Sequence, residues 1–279
     1  MTPMMEQYFE IKNQYKDFLL FYRLGDFYEM FFDDAIVASR VLELTLTGRD
    51  CGEAERAPMC GVPFHSAETY IATLIEKGYK VAICEQMENP ATAKGLVKRE
   101  VIRIITPGTV TEASMLPETR NNYLASVFID EGGAGVCFAD ISTAQIFATS
   151  FETTQYLPQL IGELGTYAPR EVLINLPHKL CPELVDFVKN RLNAVISDGD
   201  ASKYEYKSAA EAVRAQFSAT LRDGDLDKRR LICALGALLA YIADTQKTDI
   251  TYIKELNIYE NGQYMQLDLN SRRNLELTE

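Results

Sequence analysis

Short apolar runs of strand length alternate with stretches of helical periodicity along the whole chain, and that alternation confines it to a layered α/β architecture. Thr2 precedes Pro3, as in a capped helix with proline in its first turn, and Tyr8, Ile11 and Tyr15 follow at helical spacing. Residues 18–24 form an apolar run that suits a buried strand. Gly25-Asp26 breaks the run, and the spacing beyond it predicts a helix to about residue 42. A second helix is expected over 66–77, capped by Ser66 and stopped by Gly78; segments 80–85 and 99–105 read as strands, the latter ended by Thr106-Pro107-Gly108. Segments 123–129, 135–141 and 144–150, the first two joined by a Gly132-Gly133 turn, read as an antiparallel meander. Then come a helix over 153–164, a strand over 171–174, a helix over 182–192 and helices near 208–217 and 226–243.

At 279 residues the chain exceeds one typical domain. Pro117 and the pair Asn121-Asn122 mark a linker, which predicts a first domain over 1–113, a linker over 114–122 and a second domain over 123–248. Residues 249–279 are too few for a domain and end within a helical pattern, as a cut chain would. With 28 Lys+Arg against 40 Asp+Glu, the net charge of −12 excludes a broadly basic nucleic-acid coat, so any such contact must be local. The longest apolar run, 231–243, is 13 residues, short of the roughly 20 that a bilayer needs. The first residues carry neither the basic nor the apolar stretch of a signal peptide. The six cysteines are scattered without a CxxC and there are two histidines. Reduced thiols are therefore expected, with no metal site and no disulfide framework.

The segment Gly25-Asp-Phe-Tyr-Glu-Met-Phe-Phe32 is the most unusual local feature. As a helix start it has a plain structural reading. Asp26 caps, Glu29 completes a capping box, and Tyr28, Phe31, Phe32, Ala35, Ala38 and Leu42 share the core face at about 100° per residue. Capping accounts for Asp26 and partly for Glu29. It does not require a bulky aromatic at Phe27.

The chain resembles the N-terminal part of the MutS family of DNA mismatch-recognition proteins. The resemblance rests on Thr2-Pro-Met-Met5, Phe21-Tyr-Arg-Leu-Gly-Asp-Phe-Tyr-Glu-Met-Phe31, Pro58-Met-Cys-Gly-Val-Pro-Phe-His65, Val81-Ala-Ile-Cys-Glu-Gln86 and Arg103-Ile-Ile-Thr-Pro-Gly-Thr109, in that order. It is strongest over 1–110 and continues more weakly, with Leu267-Asp268 and Arg273-Asn-Leu-Glu-Leu277 resembling the start of the family's core domain. It implies an α/β fold: a mixed-sheet mismatch-recognition domain followed by an RNase H-like connector domain. It also implies that Phe27 and Glu29 are the mismatch-reading pair.

The physics of that role is coherent. A mispaired base is poorly stacked, so displacing it costs less than opening a normal step. A ring wedged in from the minor groove would stack on that base, and the soft site would kink. A stack on a π-face tolerates any base. Glu29 would add one hydrogen bond, as an anion to a ring N–H or protonated to a purine N7, and would repel normal duplex. Residues 1–110 hold 12 Lys+Arg and 16 Asp+Glu, so phosphates would fall to a clustered minority: Arg49, Lys94, Lys98, Arg99 and Arg103. Each can equally be an ordinary solvated charge. His65 suits a turn before a helix better than a DNA contact.

Other functions compete in the second half. Asp140 lies where an RNase H-like nuclease holds a metal, and Asp186, Asp198 and Asp200 are further carboxylates, but none sits in a partner motif. The resemblance implies a connector without nuclease activity that meets a MutL-type partner. No GxxxxGK[ST] occurs, so the ATP and magnesium of the full-length family have no cradle in this sequence. Neither catalysis nor a cofactor is expected of these residues. The expected partner is duplex DNA with mispairs or small loops. The full-length family works as a homodimer; this chain alone is expected to be monomeric, weak in DNA binding, free of membranes and cytoplasmic at the bacterial nucleoid.

Overall fold

The computed structural model describes residues 1–260 apart from 53, 89–94, 117–119 and 199. The chain divides into two compact units, Met1–Pro107 and Gly108–Asp244, with 245–247 counting with the first and the residues from 248 with the second. That division lies upstream of the 114–122 linker expected from sequence. Gly108 already belongs to the second unit, where its N–H is held by the buried Glu171 carboxylate at 2.9 Å.

The first unit opens with α1 (Pro3–Gln14), whose Thr2 hydroxyl accepts from the Met5 N–H at 3.4 Å as its cap. Next come β1 (Leu19–Leu24), β2 (Phe27–Phe31), α2 (Phe32–Leu42), β3 (Thr47–Arg49), β4 (Ala57–Pro63), α3 (Ala67–Glu76), β5 (Val81–Gln86) and β6 (Arg99–Ile105). The six strands form one mixed sheet in the order β3-β4-β2-β1-β5-β6, with β1 parallel to β5 and the other pairs antiparallel. Met5 and Tyr8 of α1 bury one face against Leu20, Tyr22, Phe31 and Cys84. The α2 helix takes the other face, where the Cys60 thiol donates to the Ala35 carbonyl.

Here the structure corrects the expected helix over 26–42. Residues 27–31 are a central strand, and the helix starts only at Phe32. Gly25 and Asp26 form a two-residue hairpin closed by the Leu24↔Phe27 pair, and Gly25 has φ +58°. A positive φ at the first central residue is what a II′ turn asks for, and glycine supplies it without a clash. Asp26 is therefore a turn residue, not a cap. The strand passes straight into α2 at Phe32, whose own φ is +52°. That costs strain, held in place by the Phe9 ring 5.0 Å away. Ser66 is likewise not a side-chain cap: it closes a short 3₁₀ turn, its hydroxyl donating to the Pro63 carbonyl at 3.3 Å.

In the second unit, β7 (Tyr123–Asp130), β8 (Gly133–Asp140) and β9 (Gln145–Phe151) form the antiparallel meander. They are followed by α4 (Leu157–Tyr167), β10 (Glu171–Ile174), α5 (Pro182–Asp186, continued by a π turn to Arg191), β11 (Val195–Asp198), α6 (Tyr206–Phe217), α7 (Arg229–Gln246) and β12 (Glu255–Ile258). The sheet order is β11-β10-β7-β8-β9-β12, with β10 parallel to β7 and β11 parallel to β10. Three antiparallel strands with two parallel ones beyond the first make an RNase H-like sheet. Every residue of β8 is buried, as befits a central strand covered on both faces. Leu160, Leu164 and Val188 cover one face and α7 the other. Residues 255–258, assigned from sequence to the following domain, pair with β9 at the sheet edge. Residues 267–277, the expected start of a core domain, lie outside the described residues. Among the described residues, no helix is long and apolar enough to cross a membrane.

Candidate nucleic-acid interface

The site begins with a two-residue period. Successive side chains on a strand point to opposite faces, so Phe27 and Glu29 share a face, while Tyr28 and Met30 are buried on the other. A helix would have set them about 200° apart. Phe27 closes the hairpin at the end of β2, opposite Leu24 and Pro63. The residue is 47% exposed, although the next four residues lie within the sheet.

The turn before Phe27 is pinned from both sides. The Phe64 N–H donates to the Asp26 carbonyl at 2.9 Å. The Arg23 guanidinium donates to the Gly25 carbonyl at 2.5 Å and lies 3.7 Å over the Phe64 ring. Arg23 also reaches the Glu85 carboxylate, which takes a hydrogen bond from the Tyr28 hydroxyl. Burial pushes the Tyr28 phenol well above its ordinary range, and Glu85 adds to that, so the phenol stays a donor. Sequence reasoning passed over Arg23 and Phe64. Both sit inside quoted motifs, so the available signal was their closeness in the chain to Gly25 and His65.

Glu29 is tucked in, its side chain 14% exposed, and forms an ion pair with Arg49, which is 36% exposed on the edge strand β3. Strand β4 runs between them. Glu29 faces Gly61 in the register, and a Cβ built at Gly61 would stand 3.4 Å from the Glu29 Cγ and 3.2 Å from the Tyr28 carbonyl oxygen. The missing side chain leaves the lane along which Glu29 crosses β4.

The other expected phosphate contacts fare differently. Arg99 is buried, donating to the Arg23 carbonyl at 2.8 Å and to Gln7 and the Val97 carbonyl at 3.0 Å each, with Tyr22 4.9 Å below its guanidinium. It is an internal brace and not the solvent-facing cation expected from sequence: the side chain is buried and its Nε and Nη1 donors are spent inside. Burial pushes the Tyr22 phenol up to about 12, against the pull of that guanidinium. Lys98 is exposed and pairs with Glu100 at 2.5 Å. Arg103 sits partly buried on β6 opposite Ile83. Lys94 lies outside the described residues. His65 belongs to the 3₁₀ turn after β4, its ring edge-on to Phe64.

Among the described residues of the second unit the carboxylates do not converge. Asp140 ends β8 and accepts from the Asn122 N–H at 3.2 Å, the Ser142 N–H at 3.0 Å and the Ser142 hydroxyl at 2.6 Å. These contacts make Asp140 a turn-closing acid. Asp186 pairs with Asn190 at 2.7 Å, and Asp200 caps a short turn at Ser202. Among the described residues, no group of three or more His, Cys, Asp and Glu is placed to hold a metal ion.

Two family models match, MutS domain I over residues 2–114 and MutS domain II over 122–254. The chain belongs to the MutS family. It is 50% identical to the DNA mismatch repair protein MutS of Ruminiclostridium cellulolyticum over 279 residues, all of this chain and 32% of that relative. The MutS of Acetivibrio thermocellus is also 50% identical, over 282 aligned residues, and that of Alkaliphilus oremlandii 47%, each again covering 32% of the relative. The chain thus spans about a third of the length of the curated relatives it matches. Its two units carry MutS domains I and II, and no ATPase domain is evident in either match.

Proposed function

We propose that the first unit reads mispaired and unpaired bases in duplex DNA at the start of mismatch repair. The observation that carries this reading is the placement of Phe27: an exposed side chain at the first position of a mostly buried strand, directly after a turn that Arg23 and Phe64 pin. An exposed ring next to a pinned turn is suited to wedge into a step where stacking is already weak. Glu29, two residues on and on the same face, bonds the displaced base in this reading. It accepts as an anion from a ring N–H, and donates to a purine N7 when protonated. Arg49, Lys98 and Arg103 are the remaining described candidates for phosphates.

The second unit is the connector that carries the DNA-bound state onward and meets a MutL-type partner. ATP and magnesium act in the full-length family through a domain for which these residues offer no phosphate-cradling loop. The full-length protein works as a homodimer in which one subunit probes. The isolated chain is a monomer with weak DNA affinity; a tight dimer in sedimentation at low concentration overturns that. The central test places Phe27→Ala in a full-length protein carrying this chain and compares G·T with homoduplex binding. Loss of the preference with the fold intact supports the wedge, and full retention defeats it. Glu29→Gln keeps part of the preference; its loss at every mispair contradicts the protonated-donor role.

A further inference from the structure

The ion pair between Glu29 and Arg49 addresses a difficulty that the proposed site raises. An ionised carboxylate facing a phosphodiester backbone is repelled, yet a mispair reader must approach normal duplex closely enough to test it. In the structure that carboxylate already has a cation, brought from the far side of β4 across Gly61. Arg49 stands on the edge strand, half-exposed, so solvent and a ligand can both reach it. A pair open to solvent on one side is weak enough to exchange. A phosphate takes a guanidinium in the same two-pronged way as a carboxylate does.

We infer that Arg49 is a specificity-determining residue that Glu29 holds in the free protein and releases to a DNA phosphate only when Glu29 turns to a displaced base. This inference rests on the mispair-reading function proposed above. On normal duplex no base is offered to Glu29, so the pair stays closed and the phosphate contact is withheld. At a mispair Glu29 finds a ring N–H or a purine N7, and Arg49 is freed. One weak pair is then replaced by two contacts, both conditional on the same event. Lys98 and Arg23 are also held by acids, Glu100 and Glu85, but neither acid lies on the strand that carries Phe27. Among the described residues, the coupling is therefore particular to Arg49.

The test uses a full-length protein carrying this chain, with Glu29→Gln, Arg49→Ala, Arg49→Lys, the Glu29→Gln/Arg49→Ala double variant and Phe27→Ala. Dissociation constants are measured for a homoduplex and for the same duplex with one G·T pair, over a range of salt. Glu29→Gln is expected to tighten homoduplex binding about fivefold and steepen its salt dependence by about one counterion, because Arg49 is then always free. In the double variant both changes shrink to less than about twofold and to no added slope, and with Arg49→Lys the salt dependence is kept. A homoduplex gain that survives in the double variant overturns the exchange, since Glu29 would then act by repulsion alone. If Phe27→Ala abolishes the G·T preference while that gain survives, only the exchange fails. If Phe27→Ala keeps the full preference, the mispair reading fails and the exchange with it. Arg49 is at the surface, and equal thermal unfolding across the set confirms that every variant is folded.

Discussion

Glu29 in the first unit and Asp140 in the second are both strand acids that looked like chemistry in the sequence, and their surroundings separate them. Among the described residues Glu29 has one side-chain partner, itself half-exposed, reached across a gap that a glycine leaves. Asp140 is buried and holds three donors, two of them backbone N–H groups in and beside a turn. A side-chain partner can swing away to a ligand. A backbone N–H cannot, and leaving it unpaired inside costs the full desolvation of the group. The difference teaches that an acid's availability depends on whether its partner is able to leave. Glu171 sides with Asp140, since it is buried and takes the Gly108 N–H, the Ser197 hydroxyl and the Tyr241 hydroxyl.

The contrast breaks most visibly at Asp140. Replacing it with alanine should destabilise the second unit by about 2–4 kcal/mol in urea unfolding, with the G·T-to-homoduplex ratio of a full-length protein unchanged. A loss under about 1 kcal/mol, or an altered ratio, would place Asp140 with Glu29. Phe27→Ala inverts the pattern. Base–aromatic stacking is worth about 1–3 kcal/mol, so discrimination should fall between about fivefold and 150-fold, while unfolding free energy moves by less than about 0.5 kcal/mol. Gly61→Val sharpens the comparison by closing the lane across β4. The added carbons meet the Glu29 Cγ and the Tyr28 carbonyl, so the ratio should drop several-fold, at a stability cost of about 1 kcal/mol in the same unfolding assay.

The smallest effect is alkaline. Burial pushes the Cys60 thiol up to about 11 from an ordinary 9.0, and Cys84 up to about 12. A thiol whose pKa is higher in the folded chain holds its proton more tightly there. Its stabilisation is complete below about pH 9 and drains away as pH climbs through 11. The unfolding temperature should stay level up to about pH 9 and decline above it, and Cys60→Ala should soften that decline. A flat profile from pH 8 to 11 would mean that these thiols gain solvent before the chain unfolds.

Much of the fold was legible because many elements carry their own period. The strands over 99–105 and 171–174 and the meander from 123 onward stand where alternation and turn residues put them. Strand β2 was hidden because four of its five side chains are apolar, the exposed Phe27 among them, so its aromatic run shows no apolar–polar alternation and matches a helical stripe equally well. The three-residue β3 is too short to show a pattern, and β4 begins and ends near prolines. Of the candidate site, the motif singled out Phe27 and Glu29, but not the strand face they share. Arg99 was misjudged because nothing local to a cation reveals that it is turned inward against Gln7 and Tyr22.

Local chemistry, by itself, determined that a glycine-led turn sets a large aromatic and an acid two residues apart after an apolar strand, within a chain too acidic to coat nucleic acid. Tertiary structure alone decided that residues 27–31 are a strand, so that Phe27 and Glu29 share a face, and that Gly61 and Arg49 come to meet Glu29. The reason is that turn propensity and composition act over a few neighbouring residues. Strand order and register are settled by burying two faces at once, which joins residues 20 to 32 positions apart in the chain.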